Sequence, residues 1–417
     1  MKSDMMRLFV MLIFCSIGAQ GQDLNWKPWQ EGYLDIHHIS TGSGNATFMV
    51  FPDGTSLLFD AGDVDRVART RTPNPLKASP PLPADGVTAG QSIINYIRYY
   101  HPAIQHIDYG VVSHFHSDHY GSLKPGQRRS RHGNYWLTGI TEVHESLPFQ
   151  VLLDRNYPAY NFPVDLRTKV LDKEAFANYL TFVNTQVQDG KLKVLSFRAG
   201  SITQIRMNHP EKYPLFMVRN IKSGSALWSG NDTTSINFMP AQIDEKDYNE
   251  NPLSLALKIS YGKFDYFTGG DMTGLEGFGL PAWFDTETPA AAIIGSVDVL
   301  SLNHHGVRDA SNLGFLRALS PRVLVQQSWS SNHPGEEVLH RMIAPSTYPG
   351  ARDIFATYVH PETITTYGRW LNDNYRSLHG HIVVRVYPGG SQYEVWVLDD
   401  RRYSTQAILR TPVYPSR

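Results

Sequence analysis

From Gly32 onward the chain is a succession of short apolar runs broken by turn residues. Residues 34–39, 45–51 and 56–60 read as strands, and the Asp53-Gly54 pair between two of them is a strong hairpin signal. A β-meander is therefore expected to open the protein. A Pro-rich loop follows over 72–83. Ile93, Ile94, Ile97 and Tyr100 then fall on one helical stripe within 92–100, which Pro102 ends. The next strand, 107–113, runs directly into a polar loop. Between residues 122 and 250 the signals weaken to one amphipathic helix around 173–183 and several Pro-containing loops, a pattern read as an insertion. Periodicity returns where Leu253, Leu255, Leu257 and Ile259 alternate with Ser254, Ala256 and Lys258. Gly262-Lys263 joins that strand to another at 264–268. A strand at 297–302 leads into Asn303-His304-His305-Gly306, and a hairpin of 382–387 and 393–398 around Gly389-Gly390 closes the chain. The two halves each read as a β-meander with appended helices.

Composition narrows the picture. The 417 residues are 41% hydrophobic and 18% charged, which suits a large buried core and excludes a disordered chain. The longest apolar run, 8–17, follows Lys2 and Arg7 and precedes Ala19, Gln20 and Gly21, the pattern of a signal peptide over 1–21. It is about half the ~20 residues that a spanning helix needs. An exported protein, periplasmic or extracellular, is expected, with no transmembrane anchor and a single domain over 22–417 that carries the insertion at about 122–250. The one cysteine, Cys15, lies in the leader, so the mature chain would suit an oxidising compartment. Lys and Arg number 38 against 39 Asp and Glu, which argues against a stable nucleic-acid complex. With 17 His and so little Cys, a bound metal would have imidazole and carboxylate ligands.

The densest chemistry is His114-Phe115-His116-Ser117-Asp118-His119, four metal-binding side chains within six residues at a strand exit. Burying that many polar groups unpaired would cost several kcal/mol, so packing alone does not explain them. Imidazole and carboxylate donors suit Zn²⁺, with Mn²⁺ or Fe²⁺ as alternatives.

This turn resembles the His-x-His-x-Asp-His signature of the metallo-β-lactamase superfamily. Other segments share the likeness: Asp60 after a strand, Asp271 in Thr268-Gly269-Gly270-Asp271, and His304-His305-Gly306. Ser254-Leu255-Ala256-Leu257 and Tyr261-Gly262 are similar to segments of the branch that includes the hydrolase domain of the competence protein ComEC and phosphorylcholine esterases. The extra glycine before Asp271, and Val307 where that branch has Ser, depart from its pattern. The resemblance implies a four-layered αβ/βα metallo-β-lactamase sandwich. It implies two zinc ions, with His114 and His116 on one, Asp118 and His119 on the other, and Asp271 between them. One of His304 and His305 would complete the second centre while the other contacts substrate. A further family histidine has His144 and His209 as candidates by order alone.

Such a site implies a metal-activated hydroxide attacking an ester, with Asp118 orienting it. A small-molecule or polymeric phosphoester is the favoured substrate. Arg308 would grip its phosphate, and so could the basic loop Lys124, Arg128, Arg129, Arg131 and His132. The alternatives are a lactone, thioester or β-lactam hydrolase of the same fold, or a non-catalytic binding protein with an incomplete metal site. The oligomeric state is not legible in the sequence. Structural roles are expected for His37-His38 and for the aromatic residues Tyr135, Trp136, Phe149, Tyr157 and Tyr160, and rim positions for His333 and His360. The Ser328 to His333 stretch is no evidence for a hydrolytic triad.

Overall fold

A computed structural model of the protein describes residues 23–66, 75–275 and 279–417; the signal-peptide candidate 1–21 lies outside them, as does the start of the Pro-rich loop. Nineteen strands among these residues form two sheets. Up to residue 250 they are β1 (Leu34–His38), β2 (Thr47–Val50), β3 (Ser56–Phe59), β4 (Ile107–Val111), β5 (Phe149–Asp154), β6 (Lys193–Ser196), β7 (Phe216–Ser223), β8 (Ala226–Trp228) and β9 (Ser235–Asn237). The rest of the chain adds β10 (Ala256–Tyr261), β11 (Phe264–Thr268), β12 (Val299–Ser301), β13 (Val323–Gln326), β14 (Asp353–Ala356), β15 (Tyr375–Ser377), β16 (His381–Val386), β17 (Gln392–Leu398), β18 (Leu409–Arg410) and β19 (Tyr414–Pro415). One sheet runs β18-β17-β16-β1-β2-β3-β4-β5-β6, with β19 also on β17; the other runs β15-β14-β13-β12-β11-β10-β7-β8-β9. The closing hairpin thus crosses back to lie beside β1, pairing Ile36 with Val384.

Side-chain alternation explains the layers. In β3, Leu57 and Phe59 enter the core between the sheets while Leu58 enters the core beneath the outer helices. In the other sheet Tyr266 and Val299 face inward, and Phe267 and Leu300 face the second helical layer. Parallel strands covered on both faces read as unbroken apolar runs for this reason. The helix Ala89–Tyr100, capped by a reciprocal Thr88–Gln91 box, packs Ile93 and Ile97 on the first sheet together with helices Gly139–Ser146 and Lys173–Gln188. Helices Glu287–Ile294, Leu313–Leu319 and Glu336–Ile343 cover the second. The product is the four-layered αβ/βα sandwich. No helix among the described residues is long and apolar enough to cross a membrane.

The stretch 122–250 is not peripheral to this architecture. It supplies β5 and β6 to one sheet, β7 to β9 to the other, and two helices of the outer layer. Its signals are weak in sequence because short, exposed edge strands such as β9 carry little apolar pattern.

The parallel strands set up the functional edge. β3, β4 and β5 run parallel, as do β11 to β15, so their C-terminal ends emerge together. Crevices at the carboxyl ends of parallel strands are where open α/β sheets place their chemistry.

Candidate metal centre

Each strand exit contributes one part of a buried cluster. β4 leads to His114, His116, Asp118 and His119; β11 leads to Asp271; β12 leads to His304 and His305. Two groups of potential ligands form, Asp118, His119, Asp271 and His305 in one and His114, His116 and Asp271 in the other, with the ligand atoms of each group within 4.8 Å of one another. Residues more than 180 positions apart thereby share one point, and Asp271 belongs to both groups.

Hydrogen bonds behind the cluster orient it. Asp60 accepts from Ser113 N–H at 2.7 Å and from Ser113 Oγ at 2.7 Å, and its Oδ2 lies 2.7 Å from His119 Nδ1. His305 Nδ1 donates to the Gln327 carbonyl at 2.9 Å, because a carbonyl can only accept. The Nε2 of His305 then carries a lone pair that faces the cluster, 2.9 Å from Asp118 Oδ2, and accepts the Trp329 indole N–H at 3.4 Å. His304 is placed differently: Nδ1 lies 2.6 Å from Asp309 Oδ1 and Nε2 lies 3.0 Å from Asn251 Nδ2. It stands outside both ligand groups, and its Nε2 is 3.6 Å from Asp271 Oδ2. Of the adjacent pair, His305 joins the cluster and His304 borders it, a choice that the sequence left open.

Backbone conformation separates those two rings. His304 and His305 have φ of 45° and 55°, and Asp60 has φ of 64°. Left-handed backbone costs non-glycine residues roughly 1–3 kcal/mol each and collects at functional sites. The His304 N–H bonded to the Gly270 carbonyl, 3.0 Å away, ties this turn to the β11 exit. The metal turn is also pressed against bare backbone: a Cβ on Gly62 would lie 1.7 Å from the Asp118 carbonyl oxygen, and one on Gly44 2.3 Å from it. Only glycine permits such close approach.

Do these residues fit a cation? The buried His114 Nε2, His119 Nε2 and Asp271 Oδ1 have no hydrogen-bond partner, although His119 Nε2 and Asp271 Oδ1 are only 3.0 Å apart. Buried polar atoms are nearly always satisfied, so atoms left bare and converging ask for a shared positive ion. Burial opposes charge here, yet Asp271, Asp118 and Asp60 hold His119 well above the usual imidazole value. Asp118 and Asp271 are held below the usual carboxylate range, against burial, by His119 and His305. Burial, with His119 beside it, keeps His114 well below its ordinary value and so a neutral lone-pair donor. The donor set and its backing fit a divalent metal.

The cluster forms one wall of a cavity of about 720 Å³, whose lining includes Arg308, Asn251, His304, Trp329 and His333. Arg308 is exposed and has no hydrogen-bond or ion-pair partner among the described residues. The basic loop does not reach the cavity. Lys124 pairs with Asp63, Arg128 with Glu142 at 3.0 Å, and Arg129 stacks 3.8 Å over Trp136. Neither proposed family histidine joins the cluster either: His144 is buried between Phe149 and Phe182, and His209 sits on an exposed turn beside Glu211. The three-residue group consequently has no third imidazole among the described residues.

Other expectations resolve as packing. His37 bonds Tyr96 beneath a helix and His38 bonds Tyr266 between the sheets, one ring on each face of β1. Tyr135, Phe149 and Tyr160 are buried in the outer core. Ser328 Oγ donates to the Tyr358 carbonyl, so no triad forms; His360 accepts the Glu362 N–H at a helix start, and His333 does line the cavity. Sequence reasoning missed Asn251, Asp309 and Gln327. An acid five positions after His304 was a usable signal for Asp309, but Gln327 acts through its carbonyl, which no side-chain pattern reports.

No family model and no curated protein matches this sequence. Among solved structures, the chain is similar to the metallo-β-lactamase fold protein YhfI from Bacillus subtilis at 12% identity and a TM-score of 0.35, over 77% of this chain and 96% of that one. It is also similar to a diphosphatase from the PhnP family at 10% identity and a TM-score of 0.30, over 70% and 85% of the two chains. Likeness this slight adds nothing to what the side chains themselves show.

Proposed function

We propose that the protein is a metal-dependent hydrolase of phosphoesters. The carrying observation is the unpaired Arg308 in the same cavity as His116, Asp118, Asp271 and His305, whose neighbours His114 and His119 leave buried ring nitrogens unsatisfied. Asp118, His119, Asp271 and His305 would hold one divalent ion, His114, His116 and Asp271 a second, with zinc the favoured metal. When bound, such ions supply positive charge, Lewis acidity and a lowered water pKa at neutral pH.

The chain's own residues do the rest. Arg308 binds the non-reacting phosphate oxygens with a fork that matches their geometry. His304, pushed up to about 9 by Asp271 and Asp309 against the effect of burial, borders the cavity, and its Nε2 can give a proton to a departing oxygen once the Asn251 amide, which donates to it here at 3.0 Å, turns away. Asp309 fixes the orientation of that ring from behind. The Ser254 to Leu257 likeness to ComEC-type hydrolases and phosphorylcholine esterases supports the same substrate class. The basic and apolar leader pattern supports export, which sequencing of the mature N-terminus from the secreted fraction would test.

Zinc-loaded protein should hydrolyse bis-p-nitrophenyl phosphate faster than a thioester, a lactone or nitrocefin. Arg308→Met should lower kcat/KM for the phosphodiester about 10-fold or more while sparing neutral esters. Rapid turnover of nitrocefin alone would replace phosphoester by β-lactam, and a protein that binds no metal and hydrolyses nothing would be a binding protein.

A further inference from the structure

The two ligand groups draw on turns from opposite sheets, and one short segment touches all of those turns. Glu250 Oε2 accepts the Phe115 N–H at 3.0 Å and Arg155 Nε at 3.1 Å, while Oε1 takes Arg155 Nη2 and the Tyr248 hydroxyl. Asn251 reaches His304, Ser254 Oγ accepts the Asp271 N–H at 3.0 Å, and the Leu255 N–H donates to the Ser113 carbonyl at 2.9 Å. The buried Lys222 ammonium holds the segment's shape by donating to the carbonyls of Gly224, Pro252 and Ser254.

Glu250 and Arg155 are both buried, so their pairing is not a surface accident. Arg155 follows β5 in one sheet, and Glu250 precedes β10 in the other. The Phe115 amide they fix lies between His114 and His116. The Phe115 ring is packed against Phe176 and Tyr179 in the outer core, which pins the same residue from its other side. His116 therefore takes its direction from a backbone held by ring packing and by one carboxylate, and His114 takes it from that backbone and from Ser113 Oγ, 3.1 Å from its Nδ1. The other ligand group has separate backing, His119 on Asp60 and His305 on Gln327.

We infer that Glu250, clasped by Arg155, is the positioning residue for the His114, His116 and Asp271 group, standing in for the support a third imidazole would give. The Asp118, His119, Asp271 and His305 group does not depend on it. This rests on the two-ion reading above.

The test compares two double variants. Arg155→Met with Glu250→Leu removes the ion pair and the acceptor for Phe115; apolar replacement of a buried pair commonly preserves folding. Arg155→Met with Glu250→Gln removes the charges but keeps an acceptor for the Phe115 N–H. Metal-stripped wild type and both doubles are titrated with zinc by calorimetry, and with cobalt(II) by absorption. We expect the leucine double to bind its second equivalent about 10- to 100-fold more weakly with the first unchanged, and the glutamine double to bind both as wild type does. Identical behaviour of the two doubles, whether both keep or both lose the second ion, would overturn the assignment, as would failure of both to fold. Wild type that takes up no zinc would overturn the metal reading itself, and wild type that stops at one equivalent would overturn the second centre.

Discussion

Asp118 Oδ2 and His305 Nε2 lie 2.9 Å apart, although 187 positions separate them along the chain. The contact joins the exit of β4 in one sheet to the exit of β12 in the other. A cation shared by these two side chains would hold the halves of the sandwich together as well as perform chemistry. Stability should therefore rise with metal by mass action, by about 2.7 kcal/mol when free zinc is 100 times its dissociation constant.

Asp271 alone serves both ligand groups, which separates its variant from that of His116. Asp271→Ala should abolish uptake of both equivalents and reduce phosphodiester hydrolysis by more than about 100-fold. His116→Ala should lose one equivalent and keep the other. Metal analysis after desalting, with circular dichroism as the check on folding, distinguishes the two; full metal content in the Asp271 variant would refute the site as assigned.

Asp60 never enters the cluster, yet it should govern metal affinity. An imidazole that offers Nε2 to a cation carries its proton on Nδ1, and the acceptor of that proton in His119 is Asp60. Asp60→Ala is expected to weaken zinc binding by about 10- to 100-fold, readable in a competition titration with a chromophoric chelator. An unchanged affinity would mean that Ser113 alone holds the ring.

Gly62 has no room for a methyl group. Gly62→Ala would set a Cβ 1.7 Å from the Asp118 carbonyl oxygen, an atom of the backbone that cannot swing aside. The variant should lose about 3 kcal/mol in urea unfolding and bind metal poorly, since relief of the clash moves Asp118. Gly314, where a Cβ meets only Asn312 Oδ1 at 3.5 Å and the backbone is not left-handed, is the matched control.

Glu287 makes stability depend on pH. It accepts from Asn303 Nδ2, Ser311 N–H and Asn312 N–H beneath the His304–His305 turn, and burial pushes its carboxyl up to about 7 despite those donors. A carboxyl that is harder to ionise when folded holds more protons in the native state than in the unfolded one. Stability therefore falls as pH rises from the unfolded value near 4.5 through 7, by about 3 kcal/mol in all. Glu287→Gln lacks this dependence, so the stability of wild type relative to the variant should decline between pH 4 and pH 8 in urea titrations of metal-free protein. A constant difference would show that the carboxyl titrates alike in both states.

Much of the architecture was legible because secondary structure is written in local periods. The alternation at 253–261 and the stripe of Ile93, Ile97 and Tyr100 correspond to β10 and the helix Ala89–Tyr100. Lys258, on the polar side of that alternation, turned out to be covered, its ammonium bonded to the Ile294 carbonyl and Asp265. Period reveals that a face is distinct, not what will lie against it.

Residue chemistry and strand period placed His114, His116, Asp118, His119, Asp271 and a His304–His305 pair at strand exits, and the resemblance to the metallo-β-lactamase superfamily implied the layered sandwich that gathers them. They could do so because the signature turn is contiguous and each exit follows a recognisable strand. Only the tertiary structure decided that His305 faces the cluster while His304 turns to Asp309, that the basic loop pairs with Asp63 and Glu142 instead of the cavity, and that 122–250 is woven into both sheets. Those outcomes depend on backbone dihedrals and on partners tens to hundreds of positions away, and the energy that selects among them arises only when the sheets close on each other.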